Sequence, residues 1–172
     1  MAPPRAVVVA IVLAAASFGG WWLGGHEPGA TSDPTVPAPG RFAARVTETV
    51  DGDTVHVMSV SGPDTVRLLG INTPETHHPT KGLECFGPEA SAYTERALTG
   101  RQVELELDVE HRDKYGRLLA YIWLDGRRFN DDLLRRGYAR LLVIPPNGTY
   151  ARTMLEEELA AKRASLGLWG AC

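Results

Sequence analysis

Short segments in which apolar and polar residues alternate most constrain what this chain of 172 residues can fold into. Alternation with a period of two residues is typical of a β-strand that is buried on one face. The segments are residues 42–60, which hold two strands around an Asp-Gly-Asp turn, then 65–71, 102–108 and 118–124. Asp125-Gly126 follows the last segment and favours a tight hairpin into residues 127–129. The sequence therefore predicts five strands.

Helices are predicted between and after these strands. Gly87-Pro88-Glu89 begins the first helix, because proline suits the first helical position and glutamate suits the positive end of the helix dipole. Asn130 is expected to cap a second helix through residue 136, and Thr149 a third through about residue 165. Five strands with three helices packed outside them predict an α+β fold built on a small closed barrel.

The first 40 residues are predicted to lie outside this fold. No aspartate, glutamate, lysine or arginine occurs between Arg5 and Glu27, and about 20 apolar residues are enough to cross a bilayer as a helix. Residues 1–25 are therefore either a membrane anchor, which the length of the apolar run favours, or a signal peptide cut near Ala14-Ala15-Ala16. Residues 26–40, rich in proline and glycine, are predicted to be a solvated linker. Both alternatives export the domain at residues 41–172, which is then membrane-anchored or secreted.

The net charge of -3 limits the classes of nucleic-acid-binding protein that remain possible. A protein that binds along nucleic acid tightly without catalysis usually needs a basic face. An enzyme that meets one phosphate locally needs only two or three well-placed arginines. The charge therefore disfavours the first class and leaves the second open.

The chain has two cysteines, Cys85 and Cys172. Outside the cytoplasm an even number of cysteines is expected to be oxidised. A disulfide between them would tie the end of this sequence to the body of the domain, and two unrelated free thiols are the alternative.

Acidic residues and arginines recur in three short segments. The segments are Asp51-Gly52-Asp53-Thr54, residues 67–75 (RLLGINTPE), and Asp113-Lys114-Tyr115-Gly116-Arg117. Asp53, on a tight turn beside another acid, is a candidate ligand for a hard metal ion, and Asp51 is a candidate brace for that turn. Arg67 lies within an apolar run, so its side chain must point to the opposite face of its strand. Oxygen ligands, a further carboxylate and two fixed cations are the parts that metal-dependent phosphodiester cleavage needs.

These three segments, in this order, resemble the staphylococcal nuclease (thermonuclease) family, and the resemblance extends over about residues 46–169. It implies a five-stranded, OB-fold-like barrel with three helices. It also implies an exported, calcium-dependent endonuclease that hydrolyses phosphodiester bonds of DNA, RNA or both, and we expect a monomer. The alternative is a catalytically weak or inactive barrel that binds nucleic acid or protein, although such domains usually lose the acid or an arginine that this chain keeps.

The resemblance assigns the metal ligands as Asp53, the side chain at Asn72 and the backbone carbonyl of Thr73. The family usually has an aspartate where this chain has Asn72, so the site loses one negative charge. An amide oxygen can still bind calcium. We therefore expect a weaker calcium site, or one that accepts other hard divalent ions.

The catalytic residues implied by the resemblance are Glu75, Arg67 and Arg117. Glu75 corresponds to the general base that activates the attacking water, and the two arginines correspond to those that grip the phosphate through planar, charged guanidinium groups. Substrate-binding positions that contact the terminal phosphate of the nucleotide match Lys81, Lys114 and Tyr115.

One departure concerns the nucleobase. The base-stacking tyrosines of the family fall on Val143 and Pro145 in an ungapped match. Base–aromatic stacking is worth about 1–3 kcal/mol per base. We therefore expect weaker nucleotide binding unless another ring, such as Tyr150, replaces them.

Overall fold

The computed structural model describes residues 40–76 and 82–172. The apolar segment 1–25, the linker 26–40 except Gly40, and Lys81 lie outside the described residues, so the predictions made for them stay predictions. Within residues 40–76 and 82–172, every helix is too short or too polar to span a bilayer.

The first three strands form an antiparallel meander. They are β1 (Arg41–Asp51), β2 (Thr54–Ser59) and β3 (Gly62–Leu68). The β1–β2 pair brings Asp51 opposite Thr54, so the turn between these strands holds Gly52 and Asp53. The β2–β3 pair aligns Thr54 with Arg67. Strand pairing alone therefore places Asp53 and Arg67 at the same end of the sheet.

Two later strands close this sheet into a barrel. Strand β5 (Gln102–Arg112) pairs antiparallel with β1, and β6 (Leu118–Leu124) pairs antiparallel with β5. Strand β6 also pairs in parallel with β3, where Leu68 lies opposite Ala120. The five-stranded barrel predicted from the sequence is thereby confirmed.

The barrel interior is filled by alternate strand residues. Val46, Val55, Val66, Leu105 and Ile122 are fully buried, each from a different strand. Since period-two alternation gives each strand one apolar face, closure of the sheet buries all five faces together.

Helices cover the outside of the barrel, as predicted. They are α1 (Gly87–Leu98), α2 (Phe129–Arg135) and α3 (Ala151–Arg163), followed by the four-residue α4 (Leu168–Ala171), which the sequence did not predict. Two short pairings complete the structure: β7 (Arg127–Arg128) extends β6, and β4 (Ile71–Asn72) pairs with β8 (Arg140–Leu141). The β4–β8 pair holds the chain in place where it leaves the barrel beside Arg67.

Both predicted helix caps after residue 125 are wrong. Asn130 lies inside α2, where it is buried and binds the Ile122 N–H and the Leu69 carbonyl at 2.9 and 2.8 Å. The Thr149 hydroxyl donates to Asp108 at 2.8 Å, and helix α3 has no side-chain cap. In both cases the partner lies on a barrel strand or its continuation, so tertiary hydrogen bonds outcompete the local capping preference.

The structure joins Cys85 and Cys172 in a disulfide with a Cα–Cα distance of 6.0 Å. This agrees with the expected pairing. Cys85 lies two residues before α1, and Cys172 directly follows α4. The bond therefore connects the start of the first helix to the end of the last one.

Candidate active site

The turn between β1 and β2 presents Asp53. The Asp53 N–H donates to the Asp51 carboxylate at 3.0 Å, so Asp51 braces the turn. Gly52 has no room for a side chain, because a Cβ there would lie 2.7 Å from the Thr73 side chain. The Asp53 side chain is only 8% exposed. The turn thus holds a buried carboxylate directly against the segment that follows β4.

Arg67 connects the Asp53 turn to that segment. One of its terminal nitrogens, Nη2, lies 3.1 Å from both Asp53 Oδ2 and Asn72 Oδ1. The other, Nη1, donates to the Leu68 and Ile71 carbonyls at 2.7 and 3.0 Å. The guanidinium is therefore fixed by two backbone carbonyls and by two candidate metal ligands.

The three predicted metal ligands lie together. The Thr73 N–H donates to Asp53 Oδ2 at 2.8 Å, and the Asn72 side-chain amide donates to the Thr73 carbonyl at 3.3 Å. A carboxylate, an amide and a backbone carbonyl therefore sit within one hydrogen-bonded cluster. Hard oxygen donors of these types are those preferred by calcium and magnesium.

Electrostatics at Asp53 also favour a cation. Burial raises the pKa of Asp53 to about 6, although the Arg67 guanidinium acts in the opposite direction. The ionised carboxylate is therefore short of compensating positive charge. Among residues 40–76 and 82–172 no three acidic, histidine or cysteine side chains cluster as a metal site would, so an ion at Asp53 also needs the neutral oxygens of Asn72 and Thr73. The residues present fit a hard divalent ion that is held by one formal negative charge.

Glu75 follows this cluster by two residues and is partly exposed. Its N–H donates to the Glu84 carboxylate at 3.0 Å, and its carbonyl accepts the Glu84 N–H at 3.0 Å. These contacts hold the backbone of Glu75 and leave its carboxylate outside them. The arrangement suits a general base, which needs a fixed position and a free carboxylate.

Arg117 comes from the turn before β6. Its Nε donates to Asp113 at 2.7 Å, and Asp113 also accepts the Arg117 N–H at 3.0 Å. In the part of the chain that the structure describes, the two terminal nitrogens of Arg117 have no hydrogen-bond partner. Asp113 therefore fixes the side chain through one edge and leaves its two-pronged end available for an anion.

A pocket of about 450 Å³ lies between the two arginines. Arg67, Arg117, Lys114 and Tyr115 all contribute to its wall. The Lys114 ammonium lies 5.0 Å from the centre of the Tyr115 ring, which is 73% exposed. The pocket thus combines cations with an accessible aromatic ring.

The apolar wall of this pocket is aliphatic. Leu142 and Ile144 line it, whereas Val143 and Pro145, the positions matched to stacking tyrosines, do not. Tyr150 is engaged elsewhere, because its hydroxyl donates to Glu106 at 2.6 Å and Arg128 stacks on its ring at 3.7 Å. Among the described residues, Tyr115 is thus the aromatic ring that faces the pocket.

The structure brings most of the predicted site together. Asp53, Arg67, Asn72 and Thr73 contact one another, and Arg67 shares the pocket with Arg117, Lys114 and Tyr115. Among the described residues, Glu75 forms hydrogen bonds with Glu84 and not with this group. Lys81 lies outside the described residues.

Sequence reasoning missed two supporting residues, Asp113 and Glu84. The spacing of Asp113 and Arg117 within a glycine-containing turn is a signal that could have identified the first. Nothing local to Glu84 indicates its contact with Glu75, nine residues earlier.

Several known proteins are similar to this chain over most of its length. The family model described as staphylococcal nuclease homologue matches residues 65–171. A thermonuclease of Staphylococcus intermedius is 36% identical over 148 residues, which are 86% of this chain and 86% of the relative. A thermonuclease of Staphylococcus hyicus is 36% identical over 73% of this chain and 74% of its own length. The SPbeta prophage-derived endonuclease YokF of Bacillus subtilis is 40% identical over 70% of this chain, which corresponds to 41% of YokF.

Proposed function

This chain is a nuclease that belongs to the staphylococcal nuclease family. We propose that it is an exported, calcium-dependent endonuclease that degrades DNA, RNA or both. One observation carries the proposal: the ion pair of Arg67 with Asp53 lies in the same hydrogen-bonded cluster as Asn72 and Thr73, at the edge of the pocket that holds Arg117. A cation site and a phosphate site are thereby adjacent.

Asp53, Asn72 and Thr73 would hold the ion. When bound, a divalent ion supplies charge neutralisation at a phosphoryl oxygen and lowers the pKa of a nearby water. Calcium is favoured because every donor is a hard oxygen and because calcium tolerates irregular geometry. Since Asn72 contributes no charge, the affinity should be modest and other hard divalent ions should be accepted.

Arg67 and Arg117 would bind the phosphate from two sides of the pocket. Arg67 is held by backbone carbonyls and cannot follow the substrate, so it fixes one phosphate position. Arg117 offers the free end of its guanidinium, which matches two phosphate oxygens at once. Both would stabilise the additional negative charge that develops as the phosphorus becomes five-coordinate.

Glu75 would take a proton from the attacking water. Its carboxylate lies outside the backbone contacts with Glu84 and follows the ligand cluster by two residues. Lys114 and Tyr115, together with Lys81, would bind a further phosphate of the substrate. The ring of Tyr115 and the aliphatic wall of Leu142 and Ile144 would accommodate a nucleobase with little preference for which nucleobase it is.

Export is supported by two features of the chain. Residues 6–25 are mostly apolar, as a membrane anchor or a signal peptide requires. The disulfide between Cys85 and Cys172 suits an oxidising compartment. We propose an extracytoplasmic monomer, bound to the membrane if residues 1–25 are retained.

Plasmid degradation by the purified protein tests the metal requirement. With calcium present we expect nicking and then fragmentation of supercoiled DNA, and an excess of chelator should abolish both. An RNA substrate measured alongside gives the preferred sugar. Undiminished cleavage in excess chelator would refute the metal assignment.

A further inference from the structure

Among the described residues, the Glu75 backbone forms its hydrogen bonds with Glu84. The Glu75 N–H donates to the Glu84 carboxylate, and the Glu84 N–H donates to the Glu75 carbonyl, both at 3.0 Å. Two reciprocal hydrogen bonds therefore connect Glu75 and Glu84. Of these contacts, only the one through the carboxylate depends on the Glu84 side chain.

The start of helix α1 packs against the same point. The Gly87 N–H donates to the Glu84 carbonyl at 3.0 Å. A Cβ on Gly87 would lie only 2.7 Å from the Glu75 carbonyl oxygen, so the helix meets Glu75 without an intervening side chain. Helix α1 is itself bound to the site, since the Thr94 hydroxyl donates to the Gly52 carbonyl at 2.8 Å.

The disulfide fixes the residue next to Glu84. Cys85 is bonded to Cys172, which follows α4 directly. Helix α4 is anchored where Gly137 and Gly167 meet, because the Leu168 N–H donates to the Gly137 carbonyl at 2.9 Å. A Cβ on Gly137 would lie 2.1 Å from the Leu166 carbonyl oxygen. Glu84 is thus tethered to a close-packed part of the protein.

Capping of α1 does not account for the Glu84 carboxylate. The cap residue of α1 is Phe86, and the helix has no side-chain cap. The described contact of this carboxylate is with the N–H of Glu75. This carboxylate therefore holds the backbone of Glu75 and does not cap the helix.

We propose that Glu84 is a positioning residue for Glu75, and that the Cys85–Cys172 disulfide keeps Glu84 in place. This inference rests on the proposed function, in which Glu75 is the general base. A general base must lie within hydrogen-bond reach of its proton. Since displacement by about 1 Å can cost up to about 10²-fold in rate, the residue that holds the backbone of the base should control the chemical step.

Single-turnover cleavage of a DNA duplex by the full protein in calcium tests this role. Glu84→Ala should lower the maximal rate by about tenfold or more while the DNA concentration for half-maximal rate changes by less than about twofold. Glu84→Gln keeps an oxygen acceptor and should restore the rate to within about threefold of wild type. Glu89→Ala is the matched control, because Glu89 is an exposed glutamate in the first turn of α1. It should leave both quantities unchanged.

A double-mutant cycle separates positioning from a general structural role. In a Glu75→Gln background there is no base to position, so Glu84→Ala should cause no further loss of rate. An equal loss in both backgrounds, or a failure of Glu84→Gln to rescue, would overturn the proposal. A wild-type rate for Glu84→Ala would overturn it as well.

The same experiment distinguishes this inference from the proposed function. If Glu75→Gln itself cuts at the wild-type rate, Glu75 is not the general base and Glu84 has no base to position. If Glu75→Gln is slow and Glu84→Ala is fast, only the positioning role fails. The paired substitution Cys85→Ser with Cys172→Ser should slow cleavage, and that loss should not add to the loss caused by Glu84→Ala. Melting curves must show that each variant is folded at the assay temperature.

Discussion

Two arginine-rich regions of this protein differ in what surrounds their guanidinium groups. In the α2 cluster, which consists of Arg128, Arg135 and Arg136 with Asp131 and Asp132, each arginine is paired with an aspartate. Arg128 binds Asp131 through two nitrogens, at 2.8 and 2.6 Å. At the pocket, Asp113 binds only Nε of Arg117. Asp132 likewise binds only Nε of Arg136, so neither the number of arginines nor a free guanidinium end identifies the site. Arg117 differs because it shares its pocket with Arg67, which contacts the candidate metal ligands Asp53 and Asn72.

Both carboxylates of the α2 cluster are paired within the cluster. Asp132 binds two arginines and also the hydroxyl of Tyr93. Because the carboxylates of this network are paired with its own arginines, its effect should be on stability. The pocket region should instead affect catalysis, and substitutions in the two regions test this contrast.

The largest expected effect belongs to Glu75, the proposed general base. Glu75→Gln keeps the shape of the side chain but removes the base, so cleavage should slow by about 10²–10⁴-fold. The rate of plasmid cleavage under saturating calcium measures this. Circular dichroism and thermal melting serve as controls for folding. A folded variant that cuts at the wild-type rate would disprove the general-base role.

Substitution of arginine by lysine compares the two regions directly. Arg117→Lys keeps the charge but loses the two-pronged end, so turnover should fall by about 10²-fold. Arg67→Lys should also impair turnover strongly. It requires a melting control, because Arg67 also braces the turn after β3. Arg136→Lys in the α2 cluster is the matched control and should leave the rate unchanged. Equal losses for Arg117→Lys and Arg136→Lys would erase the contrast between the regions.

A smaller effect is expected from Asn72→Asp. This change restores a negative charge among the proposed ligands, so the calcium concentration for half-maximal activity should fall by about tenfold. Calcium titrations of cleavage, together with calorimetry on the folded proteins, measure the shift. Identical titrations for wild type and variant would mean that the side chain at position 72 does not touch the ion.

The smallest effect concerns stability of the α2 cluster in acid. Burial acts to raise the pKa of Asp132, but hydrogen bonds from Tyr93, Arg135 and Arg136 outweigh it and hold this pKa below its usual value. Folded Asp132 therefore binds a proton more weakly than unfolded Asp132, whose pKa is about 3.9. Its stabilising contribution is complete above that pH and is lost as the pH falls through the lowered pKa.

Asp132→Asn should remove this contribution. Since both arginine partners are about half exposed, we expect a loss of about 1 kcal/mol in the free energy of unfolding at pH 7, and a weaker dependence on acid. Denaturant unfolding at several pH values measures both, with the exposed Asp125→Asn as control. Cleavage at pH 7 should be unchanged. A large loss of activity in folded Asp132→Asn would place the α2 cluster in the catalytic machinery.

Much of the fold could be predicted because its signals are local. Alternation identified the five barrel strands, and Pro88 and Glu89 marked the start of α1. Errors arose where a polar side chain had a distant partner. Thr149 binds Asp108, which lies 41 residues away, and Asn130 binds Leu69, 61 residues away. A local capping preference of about 1 kcal/mol is easily outweighed by such tertiary contacts.

The family and the chemical types available at the site follow from the amino-acid sequence alone. The segment containing Arg67, Asn72 and Glu75 and the later turn containing Arg117 carry that information in residue identity and spacing. Only the tertiary structure decided how these groups are held. Closure of the barrel through β3 and β6 brings Arg67 and Arg117 to one pocket, although they are 50 positions apart in the chain. The contact of Glu84 with Glu75 likewise appears only in the folded chain, where Glu84 lies between helix α1 and the Cys85–Cys172 bond, because a side chain can position another only after the surrounding backbone has folded.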